Sequence, residues 1–128
     1  MVIDTSALIA IFFDEPDFHS YVRAIQKAER RLLSAATLFE TSMVLESRAG
    51  VASGVELDLF IHDANIEVVA VDRELADVAR RAWRKYGKGN HPAALNFGDC
   101  FSYALAKISG EPLLAKGEDF RQTDIELC

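Results

Sequence analysis

The chain has 128 residues, and half of them are hydrophobic, so it can form one globular domain with a proper core. Nothing in it suggests a second domain. Its formal net charge of −6 excludes a protein that simply coats nucleic acid, because phosphate contacts need clustered Lys and Arg. An enzyme that approaches phosphates through bound cations is not excluded.

The two cysteines indicate the setting of the protein. Cys100 and Cys128 match neither a disulfide framework nor a metal-ligand spacing, so zinc is not expected and a reducing cytoplasm is expected instead of secretion. Residues 1–13 are apolar enough to suggest a signal peptide, but they lack a basic leader and are interrupted by Asp4, Thr5 and Ser6. No other stretch is long enough to span a bilayer.

Predicted strands and helices alternate along the chain. Apolar runs predict strands at residues 2–4, 31–34, 66–71 and 112–116, with a short edge strand at 124–127. Helices are expected after Ser6, Pro16, Ser34, Ser53, Asp72 and Gly98. This alternation implies parallel strands joined by right-handed crossovers. The expected fold is a three-layer α/β/α sandwich with a mainly parallel central sheet, formed by one domain over residues 1–128.

Asp4 lies where the first apolar strand passes into an apolar helix. A strand that is apolar on both sides belongs in the middle of a parallel sheet, and ligands bind beyond the carboxyl ends of such strands. Two interpretations are open at this point. Asp4 is a functional carboxylate, or else Asp4 or Ser6 merely caps the helix that begins near Ala7.

A second acid, Glu40, has unusual neighbours in the helix expected over residues 35–48. Ala36, Met43 and Val44 lie one turn away, which predicts that the Glu40 carboxylate lies in an apolar stripe. An ionised carboxylate at the edge of a core needs a cation or a hydrogen-bond network. A structural salt bridge to an arginine would meet that need, so this alternative also stays open.

Two further acids lie in the last third of the chain. Asp99 opens a helix after the long irregular stretch 87–98, where the helix dipole by itself favours an acid. Ser102, one turn later, is placed to hydrogen-bond the Asp99 carboxylate or a bound water. Asp119 follows the predicted strand 112–116 and is expected at the carboxyl edge of the sheet, although alone it is typical of a turn.

These acids gain significance as a set, because Asp4, Glu40, Asp99 and Asp119 are all placed to face one cleft. Carboxylates that lie close together repel one another unless a cation neutralises them. Oxygen ligands with room for water suit Mg²⁺ or Mn²⁺. The natural chemistry of such a site is phosphodiester hydrolysis, in which one or two metal ions activate a water for in-line attack and stabilise the leaving oxygen.

The motifs around these acids resemble a known family. The chain carries, in order, VIDTSA at 2–7, Glu40 in its third helix, NFGDCFSYALA at 96–106 and PLLAKGEDF at 112–120. In order and spacing these segments are similar to the PIN-domain ribonuclease toxins of VapC type, and the resemblance spans nearly the whole chain. It implies a magnesium-dependent endoribonuclease, the toxin of a bacterial toxin–antitoxin pair, which a cognate VapB-type antitoxin holds inactive.

The resemblance also implies roles for the acids. Asp4 and Asp99 would be the principal metal ligands, with Glu40 and Asp119 completing the acidic site directly or through water, and Mn²⁺ is an expected substitute for Mg²⁺. The family generally forms homodimers and cleaves structured RNA such as tRNA or ribosomal RNA.

The helix after Asp72 is predicted to have an apolar and a cationic face. The expected buried residues are Leu75, Ala79, Ala82, Trp83 and Tyr86, and the outer face carries Arg73, Arg80, Arg81, Arg84 and Lys85, followed by Lys88 and His91. Either this cluster guides RNA phosphates toward the acidic site or it is an ordinary solvated face.

Two other classes of protein remain as alternatives. A phosphoacceptor receiver domain also uses acids and Mg²⁺ at strand ends and would have a use for Lys116. It needs an acceptor Asp after a central strand, whereas the predicted strand 31–34 is followed by Ala35 and Ala36. The other alternative is a noncatalytic RNA- or protein-binding domain that retains only the fold.

Overall fold

A computed structural model describes all of residues 1–128 and contains one four-stranded sheet. Its strands are β1 (Val2–Ile3), β2 (Leu32–Ser34), β3 (Glu67–Val69) and β4 (Leu113–Leu114), in the spatial order β3-β2-β1-β4. Every pairing is parallel, and β1 lies between β2 and β4. The sheet is therefore parallel as predicted, with the strand that precedes Asp4 near its middle.

Six α-helices and one short 3₁₀ helix connect and flank these strands. The helices are α1 (Thr5–Phe12), α2 (Phe18–Lys27), α3 (Ala35–Ala49), α4 (Val51–Asp63), α5 (Arg73–Tyr86) and α6 (Phe97–Ser109), and the 3₁₀ helix is Asp119–Gln122. All six predicted helices are present. Helix α4 begins earlier than expected because Gly50, at φ 86°, already turns the chain between α3 and α4. No helix is both long and apolar enough to cross a membrane.

Each strand contributes side chains to two separate cores, because neighbouring residues of a strand point to opposite faces of the sheet. Val2, Leu32 and Leu113 pack with α5 and α6 on one face. Ile3, Leu33 and Leu114 pack with α1, α2, α3 and α4 on the other. This division confirms the three-layer α/β/α sandwich.

The strands are shorter than predicted, and the expected edge strand at 124–127 is absent. The backbone there makes a single parallel bridge, between Leu127 and Leu113. Asp124 is instead held by side-chain bonds from Tyr103 and Lys107 of α6, so the chain runs beside β4 only at its last residues.

Two large apolar side chains on the helices are exposed, and the first of them, Trp83, was predicted to be buried. Trp83 of α5 is 52% exposed and Ile108 of α6 is 41% exposed. Val78 of α5 belongs to the core, whereas Trp83 lines an apolar groove at the surface. Ile108 lies beside the open edge of β3, where no helix covers it.

Candidate active site

Asp4 is buried at the carboxyl end of β1 and is held by three hydrogen bonds. The Ser6 backbone N–H and hydroxyl donate to Oδ2 at 3.0 and 2.7 Å, and the Ser102 hydroxyl donates to Oδ1 at 2.6 Å. The bond from the Ser6 N–H caps α1, so one of the two interpretations of Asp4 is correct as far as it goes. The cap also fixes the carboxylate, with only 3% of the residue exposed, at the sheet end where ligands of parallel sheets bind.

Ser102 contacts a different acid from the one expected. It was predicted to bond Asp99, but it lies fully buried beneath the end of β1 and donates to Asp4. Its oxygen also lies 3.4 Å from the hydroxyl of the buried Thr37 of α3. A buried hydroxyl pair therefore supports Asp4 from below, and this support was not found from the sequence.

Glu40 lies in a shallower setting than the predicted apolar stripe. The residue is half-buried, and of its helical neighbours Met43 is 51% exposed. The Thr5 hydroxyl donates to Oε1 of Glu40 at 2.5 Å. A side chain at Gly98 would overlap the Glu40 carboxylate, so this carboxylate packs directly on the backbone that precedes Asp99.

Asp99 occupies the first turn of α6 and forms a reciprocal cap with Asn96. The Asn96 N–H donates to Oδ2 of Asp99 at 3.0 Å, and the Asp99 N–H donates to Oδ1 of Asn96 at 2.9 Å. Burial raises the pKa of the Asp99 carboxyl to about 7, despite the opposing effect of the bond from Asn96. The nearby charges of Asp4, Asp119 and Glu40 contribute a smaller part of this increase.

The charges of Asp4, Glu40 and Asp119 all act on Asp99, and Asp119 is the most exposed of the four. Asp119 is exposed on the first residue of the 3₁₀ helix after β4. None of the eight salt bridges in the protein involves any of the four acids. The salt bridge to arginine considered for Glu40 is therefore wrong, and the cluster carries negative charge that no side chain neutralises.

The donor set of this cluster fits a hard divalent cation. It consists of carboxylate oxygens with hydroxyls behind them, and such ligands suit Mg²⁺ or Mn²⁺. No three His, Cys, Asp or Glu side chains lie close enough to form a complete metal cage. Mg²⁺ does not need such a cage, because it keeps several waters and takes one or two carboxylates plus substrate phosphate oxygens.

Lys116, which a receiver domain would place in its site, is engaged elsewhere. Its Nζ lies 2.6 Å from Oε1 of Glu15, and its backbone N–H donates to the Ser6 hydroxyl. The lysine therefore contributes a backbone contact to the support of Ser6, while its charge pairs with an acid outside the cluster.

Helix α5 carries its cations on the exposed face, as predicted. Arg73 contacts Asp77 at 3.2 Å, and Arg80 approaches the same carboxylate at 4.0 Å. Arg81, Arg84 and Lys88 are exposed and form no salt bridge. This face thus has positive charges without internal partners, in a chain whose net charge is −6.

Known proteins match this chain over nearly its whole length. The PIN-domain family model matches residues 1–126. Ribonuclease VapC30 of Mycobacterium tuberculosis is 57% identical over 125 residues, which cover 98% of this chain and 95% of the relative. Ribonuclease VapC of Mycolicibacterium smegmatis is 58% identical over 125 residues and is covered to 97%.

Solved structures share the fold at low sequence identity. VapC20 of M. tuberculosis, a sarcin–ricin loop cleaving toxin, superposes with a TM-score of 0.79 at 20% identity, over 97% of this chain and 95% of that one. A toxin–antitoxin complex from Klebsiella pneumoniae gives 0.71 at 15% identity, over 96% and 92%.

The fold and the family match define a PIN-domain protein. With its close relatives, the chain belongs to the VapC ribonucleases: it is an endoribonuclease and the toxin of a toxin–antitoxin module. The receiver domain and the noncatalytic binding domain are therefore wrong as alternatives. PIN ribonucleases generally use a divalent metal.

Proposed function

We propose that Asp4, Glu40, Asp99 and Asp119 form a Mg²⁺ site at which the protein hydrolyses RNA phosphodiester bonds. One observation carries this proposal: burial and the charges of three other carboxylates raise the pKa of Asp99 to about 7, and none of the four acids has a salt bridge. Because like charges so close are unfavourable, the arrangement favours a cation that the chain itself does not provide.

The four acids have different proposed roles at the metal site, and neighbouring hydroxyl groups hold two of them in place. Asp4 and Asp99 are the proposed principal ligands, and Glu40 and Asp119 complete the site directly or through water. The bonds from Ser6 and Ser102 fix the Asp4 carboxylate, and the Thr5 hydroxyl fixes Glu40. When bound, Mg²⁺ supplies water activation and stabilises charge on the leaving oxygen, and Mn²⁺ would substitute for it.

Asp99 has a second task, which is to release a proton when the site is loaded. With a pKa near 7 it is partly protonated at neutral pH in the metal-free protein. A nearby cation favours the ionised form of a carboxyl group. Loading of the site is therefore expected to be coupled to loss of the Asp99 proton.

The proposed substrate is structured RNA such as tRNA or ribosomal RNA, and the proposed site of action is the cytoplasm. One structural neighbour cleaves the sarcin–ricin loop, which supports structured RNA as the target class. We further propose a cognate VapB-type antitoxin and a homodimeric toxin. The apolar side chains of Phe39 and Met43, 65% and 51% exposed near Glu40, support a protein contact on α3.

The test is cleavage of a total small-RNA pool by antitoxin-free protein in Mg²⁺. Asp99→Asn keeps the size of the side chain and removes its charge. Asp124→Asn is the matched control, because Asp124 is an acid outside the cluster that is also held against α6, by Tyr103 and Lys107. Discrete fragments are expected from the wild type and from Asp124→Asn only. Equal cleavage by Asp99→Asn, or no cleavage by the wild type, would overturn the proposal.

A further inference from the structure

An apolar groove lies between α5 and α6, directly beside the acidic cluster. Its volume is about 580 Å³, which is within the range of small-ligand sites. Trp83 and Phe97 contribute aromatic surface to it, and Arg80 and Lys88 contribute charge. Asn96 also lines the groove, and it is the residue that caps Asp99, so an occupant would lie next to a proposed metal ligand.

The two aromatic side chains are exposed yet held in place. Trp83 is 52% exposed and Phe97 is 82% exposed. A side chain at Gly87 would overlap Trp83, so the indole packs closely on the Gly87 backbone. The Phe97 ring packs edge-on against Phe101, with ring centroids 4.9 Å apart. Both rings are therefore preorganised with apolar surface open to solvent.

The charges at the groove select the chemistry of its occupant. Lys88, just beyond α5, and Arg84, in the last turn of α5, are both exposed and form no salt bridge. Positively charged side chains beside an acidic metal site do not coordinate the metal ion, but they attract the phosphates of a polyanion. A two-fold contact with a second copy across this groove would bring the same cations of both copies together, which disfavours a dimer there.

We propose that this groove binds an unpaired nucleobase of the RNA substrate beside the cleaved phosphate. Unstacked RNA bases are recognised by stacking on aromatic side chains and on Arg, with basic groups following the backbone. In this arrangement Trp83 and Phe97 contact the base, and Arg80 and Lys88 contact the phosphates. The proposal rests on the proposed RNA hydrolysis and adds to it where the substrate is gripped.

Trp83 is the only tryptophan of the chain, so its fluorescence reports on the groove alone. The probes are single-stranded A and U oligonucleotides of about ten nucleotides, and an abasic ribose-phosphate of equal length. They are titrated into Asp99→Asn protein, which does not cleave them. We expect the A and U oligonucleotides to quench Trp83, and the abasic chain to bind more weakly without quenching.

Variants separate stacking from charge. Trp83→Ala is expected to weaken binding of the A oligonucleotide, followed by anisotropy, by roughly 5- to 150-fold, and to leave the abasic chain unaffected. Lys88→Gln is expected to weaken all three ligands and to reduce the salt dependence of binding by about one charge. Leu59→Ala, which removes an exposed apolar side chain from α4, is the control and should bind like its parent.

Three outcomes would overturn the proposal: RNA binding without a change in Trp83 fluorescence, no RNA binding, or Trp83→Ala protein that binds RNA as the parent does. Light scattering supplies a fourth, since a change of oligomeric state in Trp83→Ala would identify the groove as an interface between copies. The readout is binding to a non-cleaving variant, so its failure is distinct from failure of cleavage in the RNA-pool assay.

Discussion

The two ends of α6 each hold a carboxylate, and they hold it in opposite ways. At the amino end, burial and three neighbouring acids raise the pKa of Asp99 to about 7. Near the carboxyl end, hydrogen bonds from Lys107 and Tyr103 lower the pKa of Asp124 to about 2. One helix thus contacts an acid that the chain neutralises and an acid that it leaves without a cation.

This difference is the basis on which we assign Asp124 a structural role and propose a functional role for Asp99. Lys107 lies 2.6 Å from Asp124, so that end of the helix needs nothing from outside the protein. Asp99 has donors for its cap but no cation, and the charges around it are of the same sign. We therefore propose that the favourable partner of Asp99 is a cation that comes from solution.

The largest effect is expected from crowding the acidic end without removing any of its acids. Gly98→Ala should displace the Glu40 carboxylate and reduce RNA cleavage by about 100-fold, because small misplacements in an active site cost that much. Folding should be little affected, since Ala favours a helix and the overlap is with the end of a flexible side chain.

Gly54→Ala is the matched control for this change. A side chain at Gly54 would overlap the carboxylate of Glu46, an exposed acid outside the cluster. Its cleavage rate should equal that of the wild type. If both alanine variants lose activity equally, or if Gly98→Ala keeps full activity, Glu40 does not act in the cluster.

A smaller effect is expected at the exposed edge of the cluster. Asp119→Asn removes one of the like charges that act on Asp99, and Asp119 lacks the buried support of Asp4. We expect cleavage to fall roughly 10-fold, as for a group that acts through water, and the pKa of Asp99 to decrease. An NMR titration of the metal-free protein measures that pKa, and an unchanged value would show that Asp119 lies too far away to matter.

The pH dependence of stability should distinguish the two ends of α6. The folded pKa of Asp99, about 7, exceeds its ordinary value of 3.8, so the metal-free wild type loses stability as the pH rises from about 4 to 7. Asp99→Asn should lose less, and its advantage should be greatest at pH 8. Urea unfolding at several pH values is the measurement, and equal curves for the two proteins would contradict this account.

The smallest effect is expected at Asp124, with the opposite sign. Its folded pKa of about 2 lies below 3.8, so its contribution is present above pH 4 and is lost as the pH falls toward 2. Because the pair is largely exposed, Asp124→Asn should cost no more than about 1 kcal/mol at pH 7. The cost, measured by urea unfolding, should vanish near pH 2, while RNA cleavage at pH 7 stays unchanged.

The sequence predicted the parallel sandwich for physical reasons, and it placed Asp4 at the sheet end where the structure has it. An apolar run such as β1 is too hydrophobic to be an edge strand of the sheet. An acid that directly follows such a strand lies at the carboxyl end of the sheet, regardless of the conformation of the loops. Asp4 and Asp99 also occupy helix caps that local chemistry alone specifies.

The parts that the sequence did not predict depend on contacts between distant residues. Ser102 bonds Asp4 because the end of β1 lies beneath α6, which helical spacing from Asp99 does not reveal. Trp83 fits the apolar period of α5, but its exposure depends on what covers the helix. Gly98 offered one signal, since a glycine in the first turn of a helix costs stability unless something packs against it.

Calorimetric titration of antitoxin-free protein with Mg²⁺ measures whether the cation that Asp99 lacks comes from solution. The wild type and Asp124→Asn should bind Mg²⁺ with release of a proton below pH 7, and should bind it more tightly as the pH rises from 6 to 8. Asp99→Asn should bind at least about 10-fold more weakly, without proton release. Equal Mg²⁺ affinity of Asp99→Asn and the wild type across that pH range would contradict the account.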